Sequence, residues 1–400
     1  MKIGVIRERK DPPDQRVPLT PEQCARVQSI PGVEVLVEPS PIRSFTDEEY
    51  ADHGVVLQED LSECDVLLGV KEVPVSMLKP EKTYFFFSHT IKKQEHNRKL
   101  LQAILKNKIR LVDYEVITNA RGKRLIAFGR FAGMVGAHNG VMTYGLRTRT
   151  FHLPRMQEFM DYEHVRSYYR DHLHLPPLRV VLTGSGRVGQ GANRVLRDMG
   201  IEEADPEVFI ADVIPGPVFT HLTSEDYLRR KDGAPFDKTH FHTHPDQYES
   251  RFLPYARVAD LFINGIYWDS RAPAFFTRED MSDPEFKIRV IADVTCDIAP
   301  VSSIPATLKA STIADPIFGY DPQENKEVDP FQDHVVDMMT IDNLPSELPR
   351  DASQAFGEMF LTYVLPELLK PQSDLIERAT IAREGKLGTH FAYLEDYVNQ

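Results

Sequence analysis

The chain has 400 residues, 42% apolar and 27% charged, with 60 acidic against 47 basic side chains and a net charge of -13. This length exceeds what one hydrophobic core organises, so two domains are expected. The acidic balance excludes a general nucleic-acid binder, which needs a basic surface to displace counterions, and three scattered cysteines without a Cys-x-x-Cys exclude a zinc ribbon or a disulfide framework.

Lys2–Ile6 reads as a first strand rather than a secretion signal, and no run approaches the ~18 apolar residues of a membrane helix. A cytoplasmic protein is expected, with no nucleic-acid or membrane partner and its oligomeric state open. Further strands are expected at Val33–Val37, Asp65–Val70, Thr83–Ser88 and Ile109–Asp113, with polar periodic segments such as Lys92–Lys106 between them. That alternation predicts a parallel sheet covered by helices. Thr20-Pro21-Glu22 is the pattern of a helix cap followed by proline at the first helical position. Phe131 to Ala137 is rich in small residues that permit close helix packing or a bend, and a domain boundary is placed near it. A charged, aromatic stretch, Tyr162–His174, leads to Pro176-Pro177.

A second α/β unit then begins. Leu178–Leu182 is a short buried strand, Thr183–Gly189 a turn and Gln190–Met199 a helix, whose Ala192, Val195, Leu196 and Met199 share one face. More strands are expected at Val208–Val213, Leu261–Asn264 and Arg289–Val294. The C-terminal part is helical, with Phe356, Met359, Phe360, Tyr363 and Val364 on one face, Asp351 as the expected cap and Pro366 as a kink.

The turn reads Gly184-x-Gly186-x-x-Gly189, between a strand and a helix. The first glycine permits the tight turn, the second lets backbone approach a pyrophosphate, and the third lets helix and strand pack closely. The helix start supplies free N–H groups and a positive dipole end for the phosphates. This predicts a nicotinamide dinucleotide site of the Rossmann type. The ribose-binding acid belongs at the end of the next strand, where Asp212 is the candidate and Asp205 and Glu207 compete. An acid there favours NAD; Arg187 inside the turn is placed to meet a 2′-phosphate, so NADP stays open.

Further landmarks run in order along nearly the whole chain. They are Arg16-Val17-Pro18-Leu19-Thr20-Pro21, Gly69-Val70-Lys71-Glu72-Val73-Pro74, Phe87-Ser88-His89-Thr90-Ile91-Lys92-Lys93-Gln94, Asp113-Tyr114-Glu115 and Arg124-Leu125-Ile126-Ala127-Phe128-Gly129. After the glycine turn come Ile263-Asn264-Gly265-Ile266-Tyr267, Asp293-Val294-Thr295-Cys296-Asp297 and Ile341-Asp342-Asn343-Leu344-Pro345. With them the chain resembles the alanine dehydrogenase and transhydrogenase superfamily, and within it the saccharopine dehydrogenase (L-lysine-forming) and lysine–ketoglutarate reductase branch. The resemblance implies two Rossmann-like α/β domains whose parallel sheets flank an interdomain cleft. Residues 1–140 with 350–400 would form the substrate domain and 141–349 the NAD(P)-binding domain.

The implied reaction interconverts saccharopine and NAD(P)+ with lysine, 2-oxoglutarate and NAD(P)H. By resemblance Lys71 and His89 are the acid/base pair; taken alone they read as a surface lysine and a hydrogen-bonded core histidine. Each follows a strand, at the sheet end where open α/β sheets bind ligands. Arg16 is the candidate cation that lowers the Lys71 pKa and, by resemblance, binds substrate, as Arg124 binds a carboxylate. Glu72, Gln94, Glu115 and Phe128 match further pocket positions, and Asp293, Val294 and Thr295 match the end of a pocket strand. Gly184, Gly186, Arg187, Val188, Gly189, Tyr267, Ala292 and Ile341-Asp342-Asn343-Leu344 match positions around the cofactor.

The stretch from His221 to Tyr255 is long for the pattern and carries His240-Phe241-His242-Thr243-His244. Alternate histidines without a third-ligand spacing read as a solvated loop, so no metal is expected. Two rivals share the fold: an alanine-dehydrogenase-like enzyme with another oxo acid, and a non-enzymatic dinucleotide-binding protein.

Overall fold

The computed structural model describes residues 1–10, 12–211 and 213–399. The chain divides into two compact units, Met1–Phe128 with Pro349–Gln400, and Gly129–Leu348. In the first, β1 (Lys2–Val5), β2 (Glu34–Val37), β3 (Val56–Leu57), β4 (Val66–Leu68), β5 (Thr83–Phe86) and β6 (Arg110–Asp113) are parallel, in spatial order 6-5-4-1-2-3. Their apolar runs are continuous because both faces are covered. Successive residues alternate between two cores: Val66, Leu68 and Phe85 join one, and Leu67, Tyr84 and Phe86 the other.

Thr20 caps the helix Pro21–Gln28 reciprocally with Gln23, as the sequence pattern predicts. The segment expected as one helix from Lys92 is a short 3-10 turn, Thr90–Lys92, followed by the helix Glu95–Lys106. At the C-terminal end, strand Thr380–Arg383 adds to the sheet antiparallel to β6. Phe356 and Phe360 fill the first core. Asp351 is not the cap expected of it: the helix begins at Pro349, which puts this carboxylate in the first turn. Pro366 lacks a donor for the ladder, and the turn before it, Phe360–Val364, is a π-helix.

In the second unit, β7 (Arg179–Thr183), β8 (Glu202–Glu203), β9 (Val218–Leu222), β12 (Leu261–Asn264), β13 (Val290–Asp293) and β16 (Val336–Met339) are parallel. An antiparallel edge is added by β14 (Ile317–Asp321) and β15 (Lys326–Val328), and β10 (Leu228–Arg230) with β11 (Tyr248–Ser250) forms a separate hairpin. The order in the main sheet is 15-14-16-13-12-7-9-8.

The strand expected at Val208–Val213 is instead a helix, Pro206–Ala211. Proline suits a first helical turn, and only Phe209 of the apolar run is buried while Val208 stays exposed, as on one helix face. The strand beside β7 is β9, farther along. Asp212 lies outside the described residues. Among those residues, no helix is long and apolar enough to cross a membrane.

The small-residue stretch lies within an unbroken helix, Gly129–Thr148. A Cβ at Gly133 would fall 1.8 Å from the Val188 carbonyl oxygen, so this helix and Arg187–Asp198 touch backbone to backbone. Gly133→Ala is therefore expected to destabilise the protein by about 1–3 kcal/mol. Urea unfolding checks this, and an unchanged midpoint would contradict the contact.

Candidate active site and cofactor turn

Because β1, β4, β5 and β6 are parallel and adjacent, the residues after them collect at one sheet edge. Lys71 follows β4, His89 follows β5 and Glu115 follows β6. Two buried carboxylates fix these departures. Glu8, just past β1, accepts the N–H of Val70 at 2.6 Å and of Lys71 at 3.0 Å. Asp113 accepts the Ser88 N–H at 2.9 Å, the Ser88 hydroxyl at 2.5 Å and the Glu115 N–H at 2.7 Å. His89 itself has a left-handed backbone, φ 52, which β-branched residues avoid and which turns the chain sharply after β5.

The sheet edge carries a distinct electrostatic pattern. Burial, then the charges of Arg16 and Lys10, lower the Lys71 ammonium to about 8. Arg16 is only 2% exposed. It forks onto Asp14 at 3.0 and 2.6 Å, and its guanidinium lies 4.4 Å from the centre of the Phe128 ring. Burial, with Asp14 nearby, pushes the Glu8 carboxyl up to about 8. Against the opposing effect of burial, the hydrogen bond and charge of His89 hold Glu72 down to about 2. Glu72 also meets Lys10 at 3.3 Å, and Phe87 stacks beside His89.

Glu115 is flanked by cations. One oxygen lies 3.5 Å from Lys92 and 3.7 Å from Arg124, while its Oε2 is buried with no hydrogen-bond partner among the described residues. Arg124 also donates to the Ile126 carbonyl at 2.8 Å and lies over Phe87. Gln94 is exposed at the start of the helix Glu95–Lys106, with its carbonyl taken by Tyr397. Glu8 and Asp14 escaped the sequence reading; their signal is an acid beside a cation, Glu8 directly after Arg7 past the end of β1 and Asp14 two residues before Arg16.

In the second unit, Gly184 has φ +107, and a Cβ there would lie 2.2 Å from the Gly265 carbonyl oxygen. A Cβ at Gly189 would collide with the Gly184 carbonyl, but one at Gly186 would meet nothing. The turn is thus packed on its inner side and open on its outer side. Gly186 opens the helix Arg187–Asp198 with no side-chain cap on its N–H groups. This donor set fits a dinucleotide pyrophosphate. His221, missed in the sequence, holds the turn through the Gly184 carbonyl at 2.7 Å.

Asp293 ends β13 in a buried network, bonded by Asn264 at 2.9 Å and Thr307 at 2.6 Å, and burial raises its carboxyl to about 6. Thr295 donates to the Ile266 carbonyl at 2.8 Å, and Val294 packs at Gly136. Ala292 is fully buried against Gly140 of the long helix, so the structure does not bring its side chain to the turn. Val188 and Tyr267 border the cavity beside the turn; Tyr267 is 96% exposed. Ile341 and Leu344 are buried, whereas Asp342 is exposed and Asn343 half-buried. Among the described residues, no group of three or more His, Cys, Asp or Glu side chains is placed to hold a metal.

The chain thus has two α/β units of doubly wound type, one with a cluster of titratable side chains at a sheet edge and one with a glycine-rich turn open on its outer side. Residues 4–135 match the alanine dehydrogenase/PNT N-terminal domain family. The fold is similar to an L-alanine dehydrogenase (TM-score 0.67, 17% identity, 100% of this chain and 99% of that one). It is also similar to a transhydrogenase from Sinorhizobium meliloti (TM-score 0.58, 13% identity, 97% and 100% covered). In sequence, the chain is 32% identical to the mitochondrial alpha-aminoadipic semialdehyde synthase of Mus musculus, over 98% of this chain and 47% of that protein. It is 28% identical to the saccharopine dehydrogenase (NAD+, L-lysine-forming) of Yarrowia lipolytica, over 92% of each. The match to that N-terminal domain family covers about a third of the chain, and relatives named saccharopine dehydrogenase (L-lysine-forming) are similar along most of it. It spans about half the length of the semialdehyde synthases it matches.

Replacing Arg16 removes a cation from Lys71 and leaves Asp14 uncompensated, and both changes favour the ammonium. In Arg16→Met the Lys71 titration midpoint should therefore rise from about 8 toward the value of a free lysine. The pH dependence of acylation at Lys71, read by mass spectrometry, checks this; an unmoved or lowered midpoint would refute the coupling.

Proposed function

We propose that the chain interconverts saccharopine, water and NAD(P)+ with L-lysine, 2-oxoglutarate and NAD(P)H. The observation that carries this reading is the Lys71 amine, held at about 8, at the same sheet edge as His89. The names of the homologues supply the substrate class. The N–H groups at Gly186 and the start of the helix Arg187–Asp198 would hold the dinucleotide, which when bound would supply the hydride acceptor for the glutamyl α-carbon, or the donor in reverse.

In the oxidative direction neutral Lys71 accepts the proton of the secondary amine as the hydride leaves, giving an imine. His89 removes a proton from the water that adds to the imine carbon, with Glu72 orienting the ring through its hydrogen bond. Protonated Lys71 gives its proton to the imine nitrogen as the water adds, forming the carbinolamine; the C–N bond then breaks with its electron pair on nitrogen, which takes the proton held by His89, while Lys71 takes the hydroxyl proton and that carbon becomes the ketone of 2-oxoglutarate. Arg16 and Arg124 bind carboxylates, and Phe128 forms the apolar wall beside Arg16. The unpartnered Oε2 of Glu115 suits the amine of lysine. In reverse, protonated Lys71 is the acid.

The assay follows NADH and NADPH absorbance with 2-oxoglutarate and a panel of amino acids; oxidation is expected with lysine. Turnover with pyruvate and ammonia but not with lysine would instead favour an alanine-dehydrogenase-like reaction. Lys71→Met and His89→Gln should each lower kcat by about 100-fold or more while reduced-dinucleotide binding, read by fluorescence, is kept. An active Lys71→Met would remove the assigned base. Because the base works unprotonated, kcat/KM for saccharopine should climb with pH and level off above about 8. The reductive rate should fall above the same pH, and a flat oxidative profile from pH 6 to 9 would count against Lys71.

A further inference from the structure

The turn that carries His89 at one end and Gln94 at the other is built against the preferences of its own backbone. His89 and Lys93 are both left-handed, φ 52 and 54, with the single 3-10 turn Thr90–Lys92 between them. Residues other than glycine rarely adopt this region, and they persist in it where surrounding contacts over-determine the chain. The His89 end has such contacts of its own. The Ser88 hydroxyl meets the Thr90 hydroxyl at 2.8 Å and bonds Asp113 at 2.5 Å, and Glu72 bonds the His89 ring.

The Gln94 end is held by a segment 303 residues farther along the chain. The Tyr397 hydroxyl donates to the Gln94 carbonyl, which also accepts the Asn97 N–H at 3.0 Å. The Lys93 ammonium stands 5.4 Å from the centre of the Tyr393 ring, and the Arg98 guanidinium 5.4 Å from that of Tyr397. Gln102 donates to the Val398 carbonyl at 2.7 Å. The two tyrosines belong to the 3-10 helix Thr389–Leu394 and the helix Glu395–Asn399. Phe391, Leu394 and Tyr397 share a buried cluster with Leu100, Leu101 and Ile104 of the helix Glu95–Lys106. That apolar contact fixes the segment on the helix. The contacts at Lys93 and Gln94 then extend its grip from the helix onto the turn.

We infer that Tyr397 and Tyr393 are positioning residues for substrate binding: from the C-terminal segment they brace the Lys93-Gln94 end of the turn and so set where the Gln94 side chain meets the substrate. This rests on the proposed function and on the match of Gln94 to a pocket position, and adds the side chains that hold it there. Because the His89 end is anchored separately, the brace acts on binding rather than on proton transfer.

The test takes Tyr397→Phe and Tyr393→Leu in the full chain. The first keeps the buried ring and removes only the hydroxyl, and the second alters a side chain that is 51% exposed, so both should fold with an unchanged melting temperature. Hydrogen exchange, read by mass spectrometry, should quicken about fivefold in peptides covering Thr90 to Asn97 and stay the same in those of β5 and β6. In the assay above, KM for lysine or 2-oxoglutarate should rise about fivefold while kcat stays within roughly twofold. Unchanged exchange over the turn overturns the brace. Exchange quickened evenly over the whole sheet, with a lower melting temperature, also overturns it, by making the segment a plain part of the core. A loosened turn with unchanged KM, or a loss confined to kcat, overturns the role in substrate binding. If the unaltered chain does not turn over lysine with 2-oxoglutarate, the proposed function fails, and the exchange measurement, which needs no substrate, still decides the brace.

Discussion

Two buried carboxylates replace sheet hydrogen bonds where the first sheet ends, and the edge that carries Lys71, His89 and Glu115 depends on them. A strand that leaves its ladder exposes N–H groups that need partners. Glu8 takes those of Val70 and Lys71, and Asp113 those of Ser88 and Glu115. Each carboxylate thereby ties one strand end to the next. The side chains of Lys71, His89 and Glu115 leave from backbone that is hydrogen-bonded on one side and packed on the other. A site borne by such short exits from a buried sheet is held more rigidly than one borne by long loops.

The same edge resolves a conflict of charge. Arg16 and Lys71 are both largely removed from water, which disfavours two adjacent cations. Asp14 offsets one of them through a two-point fork, and Phe128 offers its ring face to the same guanidinium. Lys71 receives no such fork and yields by releasing its proton more readily. Glu8 yields in the opposite sense, by keeping its proton to about pH 8. Opposed burial effects on an amine and a carboxyl thus bring both into the range where proton transfer is efficient.

Much of this was legible in the sequence because parallel strands are continuous apolar runs. Asp65–Val70 and Thr83–Ser88 announce β4 and β5, and the residues that follow them announce the edge. The glycine turn was legible because each glycine answers a separate steric demand, and the structure meets those demands at Gly184 and Gly189. The failures share a cause. Val208-Phe209-Ile210 has too few residues for its period to separate helix from strand. The ribose-acid candidate taken from that stretch, Asp212, lies outside the described residues, and the strand beside β7 ends at Leu222. Partners distant in sequence, such as Glu8 with Lys71 and His221 with Gly184, leave no local pattern. Ala292 lies on the strand the sequence reading named, and the long helix at Gly140 that covers its side chain leaves no local pattern, because a strand's two faces differ only by what lies against them.

The chain order of the two units bears on how the protein is made. The central unit, Gly129–Leu348, is contiguous, whereas the first is completed by the strand Thr380–Arg383 against β6 and by Phe356 and Phe360 in its core. During synthesis the central unit leaves the ribosome whole, while the outer unit still has an unpaired sheet edge at β6 and an unfilled core. The outer unit closes only after every residue of the central one has been made. The nascent chain therefore exposes strand edge and aromatic surface for the entire translation of the insert, the interval in which a holding chaperone has most to protect.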